Sequence, residues 1–192
     1  MLHVGVLALQ GGVSEHLELL ATLPQVQPIA IKKPKQLRGL DGLILPGGES
    51  TTIGKLLHEF ELVEPILELA KLGIPLWGTC AGLILLAKQI VGESSNHLGL
   101  MDITVQRNAY GSQLASFITY ENIVALSDPP IQLVFIRAPI ITEYGSKVKP
   151  WIYVKDKLVA ATQANILVTA FHPELTTDQR FHQYFIDMIK RN

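Results

Sequence analysis

One cysteine, Cys80, stands in a chain of 192 residues. That scarcity excludes an intramolecular disulfide and any zinc site built from several thiolates. Charge is scarce too: 17% of residues, divided as 16 Lys+Arg against 17 Asp+Glu, for a formal net charge of -1. Without a basic excess there is no electrostatic footprint for nucleic acid. Long apolar runs are also missing. The longest stretches without Asp, Glu, Lys or Arg are Leu72 to Ala87 and Leu158 to Pro173, 16 residues each, short of the roughly 20 needed to cross a bilayer. The opening MLHVGVLALQGG has neither a basic n-region nor a small-residue cleavage pattern, so no secretory leader is expected. Together these absences point to the reducing cytoplasm, with no membrane and no nucleic acid as partner.

What is present is apolar and periodic. At 48% hydrophobic residues the chain is no disordered segment, and its length suits one domain over residues 1–192 that buries roughly 70% of its unfolded surface. Short apolar runs alternate with amphipathic ones, the mark of an α/β protein. Strands are expected at Leu2 to Leu9, Val26 to Ile31, Gly42 to Leu45 and Ile74 to Trp77. Helices are expected at Val13 to Leu23, Thr51 to Phe60 with Ser50 as N-cap, Glu64 to Leu72, and Ala81 to Ile90. From Glu93 to Pro150 the texture turns to β-type runs: Ile103 to Gln106, Ser116 to Tyr120 and Leu133 to Ile136. Trp151 to Val154, Leu158 to Thr162 and Ile166 to Ala170 continue it before a last helix, Thr177 to Lys190. The expectation is a mostly parallel sheet between helical layers, a three-layer α/β sandwich with a small β-rich elaboration. Ligands of such sheets sit at the carboxyl ends of the strands, where Gly47-Gly48, Cys80 and His172 all fall.

Gly78-Thr79-Cys80-Ala81-Gly82 is the sharpest local signal. It places G-x-C-x-G between a buried strand and a helix, a cysteine version of the nucleophile elbow. The turn needs small neighbours and lifts the thiol beside a helix N-terminus, where backbone N–H groups favour a thiolate. A lone cysteine is otherwise usually a small buried hydrophobe. A nucleophile also needs a base and a group that orients it. Phe171-His172-Pro173-Glu174 supplies both: in an extended segment residues i and i+2 point the same way, and Pro173 keeps His172 out of helical geometry. The plain alternative is a capping histidine beside a surface glutamate. His16, His58 and His182 fall on helices, His97 in a loop, and His3 near the wrong edge of its strand, so His172 is the favoured base. Leu45-Pro46-Gly47-Gly48-Glu49-Ser50 is the third element. It suits either a tight turn or a loop that aims an N–H at an oxyanion, and it lacks the lysine of a Walker phosphate loop.

GTCAG, LPGGEST and FHPE, in that order, resemble the class I triad glutamine amidotransferases. GVLALQGGVSEH, GLILPGGESTT, MDITVQRNAYGSQLASF, VFIRAP and TAFHPELTTDQRFH narrow the likeness to the glutaminase subunits of pyridoxal 5'-phosphate synthase. It runs over nearly the whole chain and is weakest from Thr142 to Gln163. The resemblance implies a flavodoxin-like amidotransferase domain that hydrolyses L-glutamine to glutamate and ammonia through a thioester on Cys80. His172 would act as acid and base, oriented by Glu174. Backbone N–H groups of Gly47 and Ala81 would hold the oxyanion, and Gly47, Gly48, Glu49, Arg107, Ile136 and Arg137 would contact glutamine. The resemblance also implies a (β/α)8-barrel synthase partner in a large hetero-oligomer, contacted near Gln10 to His16, which takes the ammonia and switches the glutaminase on. No cofactor and no metal are expected on this chain. A related cysteine hydrolase of the DJ-1/peptidase group is the rival reading; those enzymes place a histidine beside the cysteine or use an early-strand glutamate, whereas here Ala81 follows Cys80.

Overall fold

The computed structural model describes residues 1–109 and 116–192. In chain order the elements are β1 (Leu2–Leu7), α1 (Val13–Ala21), β2 (Val26–Ile31), β3 (Gly42–Leu45), α2 (Ser50–Glu59), α3 (Val63–Lys71), β4 (Leu76–Thr79), α4 (Ala81–Leu86), β5 (Ala87–Ile90), β6 (Met101–Gln106), β7 (Ser116–Glu121), β8 (Ile131–Ile136), β9 (Ile140–Tyr144), β10 (Lys149–Val154), β11 (Lys157–Gln163), β12 (Ile166–Thr169) and α5 (Arg180–Arg191). The main sheet runs β2-β1-β3-β4-β12-β11-β9-β6-β5, with β10 paired to β11. Its first five strands are parallel. Beyond β12 it continues antiparallel through β11, β9 and β6. β7 and β8 form a separate antiparallel pair.

Strand alternation in β4 sorts the layers. Trp77 packs its ring against His16 of α1 and against His182 and Phe185 of α5. Gly78 faces the other way, where an added Cβ would lie 2.8 Å from the Leu83 nitrogen of α4. So α1 and α5 cover one face and α4 the other. α4 packs so closely that a Cβ on Gly82 would collide with the Leu45 carbonyl oxygen and lie 2.9 Å from its carbon. Both partners there are backbone and cannot give way. Gly82→Ala is therefore expected to destabilise the fold by about 1–3 kcal/mol, read as a lowered thermal midpoint.

Several elements depart from the sequence reading. The helix expected over Ala81 to Ile90 stops at Leu86, and Ala87–Ile90 pairs in parallel with β6. An all-apolar run carries no period that separates buried helix from buried strand. The N-cap of α2 is Glu49, not Ser50: its carboxylate accepts from the Thr51 and Thr52 N–H groups at 3.0 and 2.7 Å. α5 begins three residues late, because Asp178 turns the chain by accepting from the Arg180 N–H at 3.0 Å. Thr142 to Lys157, within the stretch where the family likeness is weakest, contributes Val148, Ile152 and Val154 to the core.

Candidate active site

Cys80 sits between β4 and α4 with φ 48° and ψ -100°. That left-handed backbone is what a sharp strand-to-helix turn demands, and it is tolerated where packing on all sides over-determines it. Gly78 and Gly82 supply the closeness of that packing. Cys80 is 7% exposed, and its Sγ lies 3.9 Å from the Ile136 carbonyl oxygen at the end of β8.

His172 follows β12, with its own N–H donated to the Val134 carbonyl at 2.8 Å. Its Nδ1 lies 2.7 Å from Glu174 Oε1. The extended geometry expected for this pair is not what produces the contact. His172 caps a 3-10 turn over Pro173–Leu175, and that turn brings Glu174 back to the ring. Glu174 is buried, and Gly12 of the β1–α1 loop lies so near that a Cβ there would be 3.0 Å from Oε1. Burial works against a charged His172, but hydrogen bonds to Cys80 and Glu174 and their negative charge outweigh it and raise its pKa to about 10. The imidazole is thus held as a cation next to the thiol through neutral pH.

The Gly47-Gly48 loop ends β3 against this pair. A Cβ on Gly47 would strike the His172 ring, lying 2.9 Å from Nδ1, and would sit 3.4 Å from Cys80 Cβ. Both polar groups of Gly47 are engaged inside the fold. Its N–H donates to Thr79 Oγ1 at 3.0 Å, and its carbonyl accepts from the Gly12 N–H at 3.0 Å. The Gly47 N–H is therefore turned into the fold, towards Thr79. Ala81 N–H, by contrast, opens the first turn of α4, where N–H groups have no intrahelical acceptor.

A cavity of about 370 Å³ opens over these residues. Gly48, Glu49, Cys80, Ala81, Arg107, Ile136, Arg137 and His172 all line it, joined by Gln10, Ser50, Ile84 and Asn108, to which the sequence reading gave no place in the site. Arg107 reaches in from the end of β6 and pairs with Glu93 at 2.8 Å and Glu49 at 3.4 Å. Glu49 is held ionised by donors, first the Thr52 hydroxyl, which together outweigh the opposing effect of burial and lower its pKa to about 2. Gln10 accepts from the Glu49 N–H at 2.7 Å and so braces the loop. Asn108 and Arg137 both adopt positive φ, 48° and 43°, turning the chain at the cavity rim. A larger depression of about 560 Å³ lies by Gly73, Pro75 and Asn165, at the amino ends of β4 and β12. It holds no nucleophile beside a base, so the smaller cavity is the candidate site.

An elbow thiol, an imidazole and a carboxylate meeting at one cavity are the parts a cysteine-triad hydrolase would need, and comparison with known proteins says which family the chain belongs to. The pattern of the SNO glutamine amidotransferase family matches residues 6–191. The chain belongs to that family. It is 50% identical over 192 residues, the full length of both chains, to a protein of Clostridium botulinum named Pyridoxal 5'-phosphate synthase subunit PdxT. It is 54% identical over 187 residues to the protein of that name from Desulforamulus reducens, covering 97% of this chain and 99% of the other. A crystal structure of a glutamine amidotransferase superposes with a TM-score of 0.91 at 42% identity, over 97% of this chain and 98% of that one. The fold is thus the class I glutamine amidotransferase fold, and its membership disfavours the DJ-1/peptidase reading. Among the described residues no helix is long and apolar enough to cross a membrane.

The residues that sequence reasoning missed lie beneath this amidotransferase site. His16 Nε2 is 3.4 Å from Glu174 Oε2, the oxygen that His172 does not use, and His16 Nδ1 is 2.9 Å from His182 Nε2. Both imidazoles are fully buried. Burial foremost keeps them neutral: it lowers the pKa of His182 to about 3 and, helped by the neighbouring histidines, lowers that of His16 well below its usual value. The available signal was the position of His16, four residues before buried Leu20 on the inner stripe of α1.

Proposed function

We infer that this chain is a glutaminase that releases ammonia for pyridoxal 5'-phosphate synthesis, working as one domain over residues 1–192 with a synthase subunit. The observation that carries this reading is that Cys80 and His172 meet at one cavity, with His172 held 2.7 Å from Glu174, in a chain that matches glutaminase-subunit relatives over its full length. Cys80 as thiolate attacks the amide carbon of glutamine. The His172 cation protonates the amide nitrogen as its bond to carbon breaks, so that it leaves as ammonia and a γ-glutamyl thioester remains. Neutral His172 then takes a proton from water, which attacks the thioester and frees glutamate. Glu174 keeps Nδ1 of the imidazole engaged so that Nε2 serves the reacting atoms. Ala81 N–H is one donor for the oxyanion. Gly47 is the other only after the peptide before it turns away from Thr79. Gly47 and the free rotation of glycine suit such a turn, and a synthase subunit that docks near Gln10 to His16 would act on it, since the Gly12 N–H holds the Gly47 carbonyl.

Within the cavity Arg107 suits the α-carboxylate of glutamine, and Glu49 together with the backbone at Ile136 and Arg137 suits the α-ammonium. Arg107→Ala is expected to raise KM for glutamine about tenfold to a hundredfold with kcat within about threefold, the signature of lost uniform binding. The experiment for the function as a whole is glutamate release by the isolated chain, repeated after adding the (β/α)8-barrel synthase subunit in a stable hetero-oligomer. Activity that rises on mixing supports the reading; a mixture that assembles and leaves glutamine intact would sink it.

A further inference from the structure

We propose that His16 and His182 form a tautomer-locked positioning relay behind the triad, in which His182 Nε2–H donates to His16 Nδ1 and His16 Nε2–H donates towards Glu174 Oε2, so that Oε1 is left for His172. The proposal rests on the glutaminase reading above and deepens it.

Geometry and proton count lead to this assignment. Glu174 Oε2 is buried with no well-aligned donor, and His16 Nε2 faces it at 3.4 Å. The same nitrogen is 3.3 Å from Thr79 Oγ1, so one N–H can be shared between carboxylate and hydroxyl. The groups around the pair come from every element packed on it: Thr79 and Trp77 from β4, Glu174 and His172 from the β12 end, and His182 from α5. Glu174 is the carboxylate that faces His16. A carboxylate oxygen can only accept, so His16 Nε2 must carry the proton. A neutral ring has one proton, so Nδ1 accepts, and His182 Nε2 must be the donor that fills it at 2.9 Å. His182 Nδ1 is then a bare nitrogen, which fits its having no partner although it is buried.

The alternative tautomers fail twice. With Nδ1–H on His16, its Nε2 lone pair would face the carboxylate, and His182 would carry a buried N–H on Nδ1 with nothing to receive it. The chain of contacts also reaches the oxyanion loop, because Thr79 Oγ1 receives the Gly47 N–H at 3.0 Å. α1 and α5, 166 residues apart through this pair, thereby converge on one carboxylate. These two histidines touch no reacting atom; they act through Glu174.

The first test is two-bond 1H–15N correlation on the intact chain. Both rings should read as Nε2–H tautomers and stay neutral through the neutral pH range; an Nδ1–H signature or a titrating ring at either position would overturn the relay. The second is kinetic, with the synthase subunit present. His16→Leu should lower kcat roughly tenfold to a hundredfold, the worth of a hydrogen bond to a charged group, with KM within about threefold. His16→Gln, whose amide N–H2 reaches where Nε2 stood, should recover most of that loss. Equal losses in the two variants, or a loss confined to KM, would refute the proposal. If His16→Leu fails to fold, His182→Gln against His182→Asn poses the same question, since the asparagine amide reaches only the Nδ1 position. Should the wild-type complex prove inert to glutamine, the functional reading falls and the tautomer spectra alone decide the relay.

Discussion

Cys80→Ala, assayed with the synthase subunit present, is expected to lose about 10⁴-fold or more of its glutamate release, the scale on which a covalent nucleophile is lost. The fold should survive. Alanine occupies the φ 48° turn no worse than cysteine does, adds no atom, and removes only Sγ, which borders an open cavity. Its thermal midpoint should stay within a few degrees of wild type, which separates chemistry from stability. His172 also changes in a defined way. Two of the contributions that hold it near 10 come from Cys80, as hydrogen bond and as charge. Removing them leaves burial opposed by Glu174 alone, so the imidazole of the variant should titrate at lower pH than in the wild type. Glutamine hydrolysis by Cys80→Ala within tenfold of wild type would mean that the thiol is not the nucleophile.

The site was legible in sequence where the chemistry depends on local backbone. G-x-C-x-G states the turn because Gly78 is compelled by contact with the Gly82–Leu83 backbone within one strand–turn–helix unit, and Gly82 by contact with Leu45 at the end of the neighbouring β3. His172 was legible as a strand end, but the route from His172 to Glu174 was not: i and i+2 meet through a 3-10 turn, a geometry that Pro173 permits as readily as extension. β2 and β3 fall where the apolar runs place them. β5 was hidden inside a helical run, because LILLA is buried all round and has no polar face to mark a period. His16 and His182 were hidden for a different reason. On a helix a histidine reads as polar surface, and what makes these two interior is a meeting of α1, α5 and Trp77 across the chain. Gly47 shows the remaining limit. PGG marks a loop able to offer an N–H, but which way that N–H points is set by Thr79, a residue chosen for another turn.

Glu174→Gln is the near-isosteric change that separates a carboxylate from its shape, and it should cut kcat about 10²–10⁴-fold with little effect on KM, as loss of the orienting anion does in hydrolase triads. An amide has one accepting and one donating end, whereas Glu174 meets a demand for two acceptors: His172 Nδ1 at 2.7 Å and His16 Nε2 at 3.4 Å. If the amide oxygen faces His172, its N–H2 meets the His16 N–H, donor against donor. Relief then requires both buried rings to change tautomer, which strands a proton on His182 Nδ1. If the amide is reversed, N–H2 faces His172 Nδ1 and fixes the proton on Nε2, so that no lone pair is left to take the thiol proton. The lost charge acts in the same direction. Glu174 contributes to raising His172 from 6.5 to about 10, against burial. Without it the cation is given up at lower pH, and the alkaline limb of the rate profile should move down. Stability follows with the matching sign. A raised imidazole pKa stabilises the wild type below the unfolded value of 6.5, and that contribution is lost as pH rises through about 10; in Glu174→Gln it is reduced to what Cys80 supplies against burial, so the stability gap between the two proteins should be widest in acid and close towards alkaline pH. A gap that is constant across that range would show that Glu174 supports the fold by packing and not by holding His172 charged.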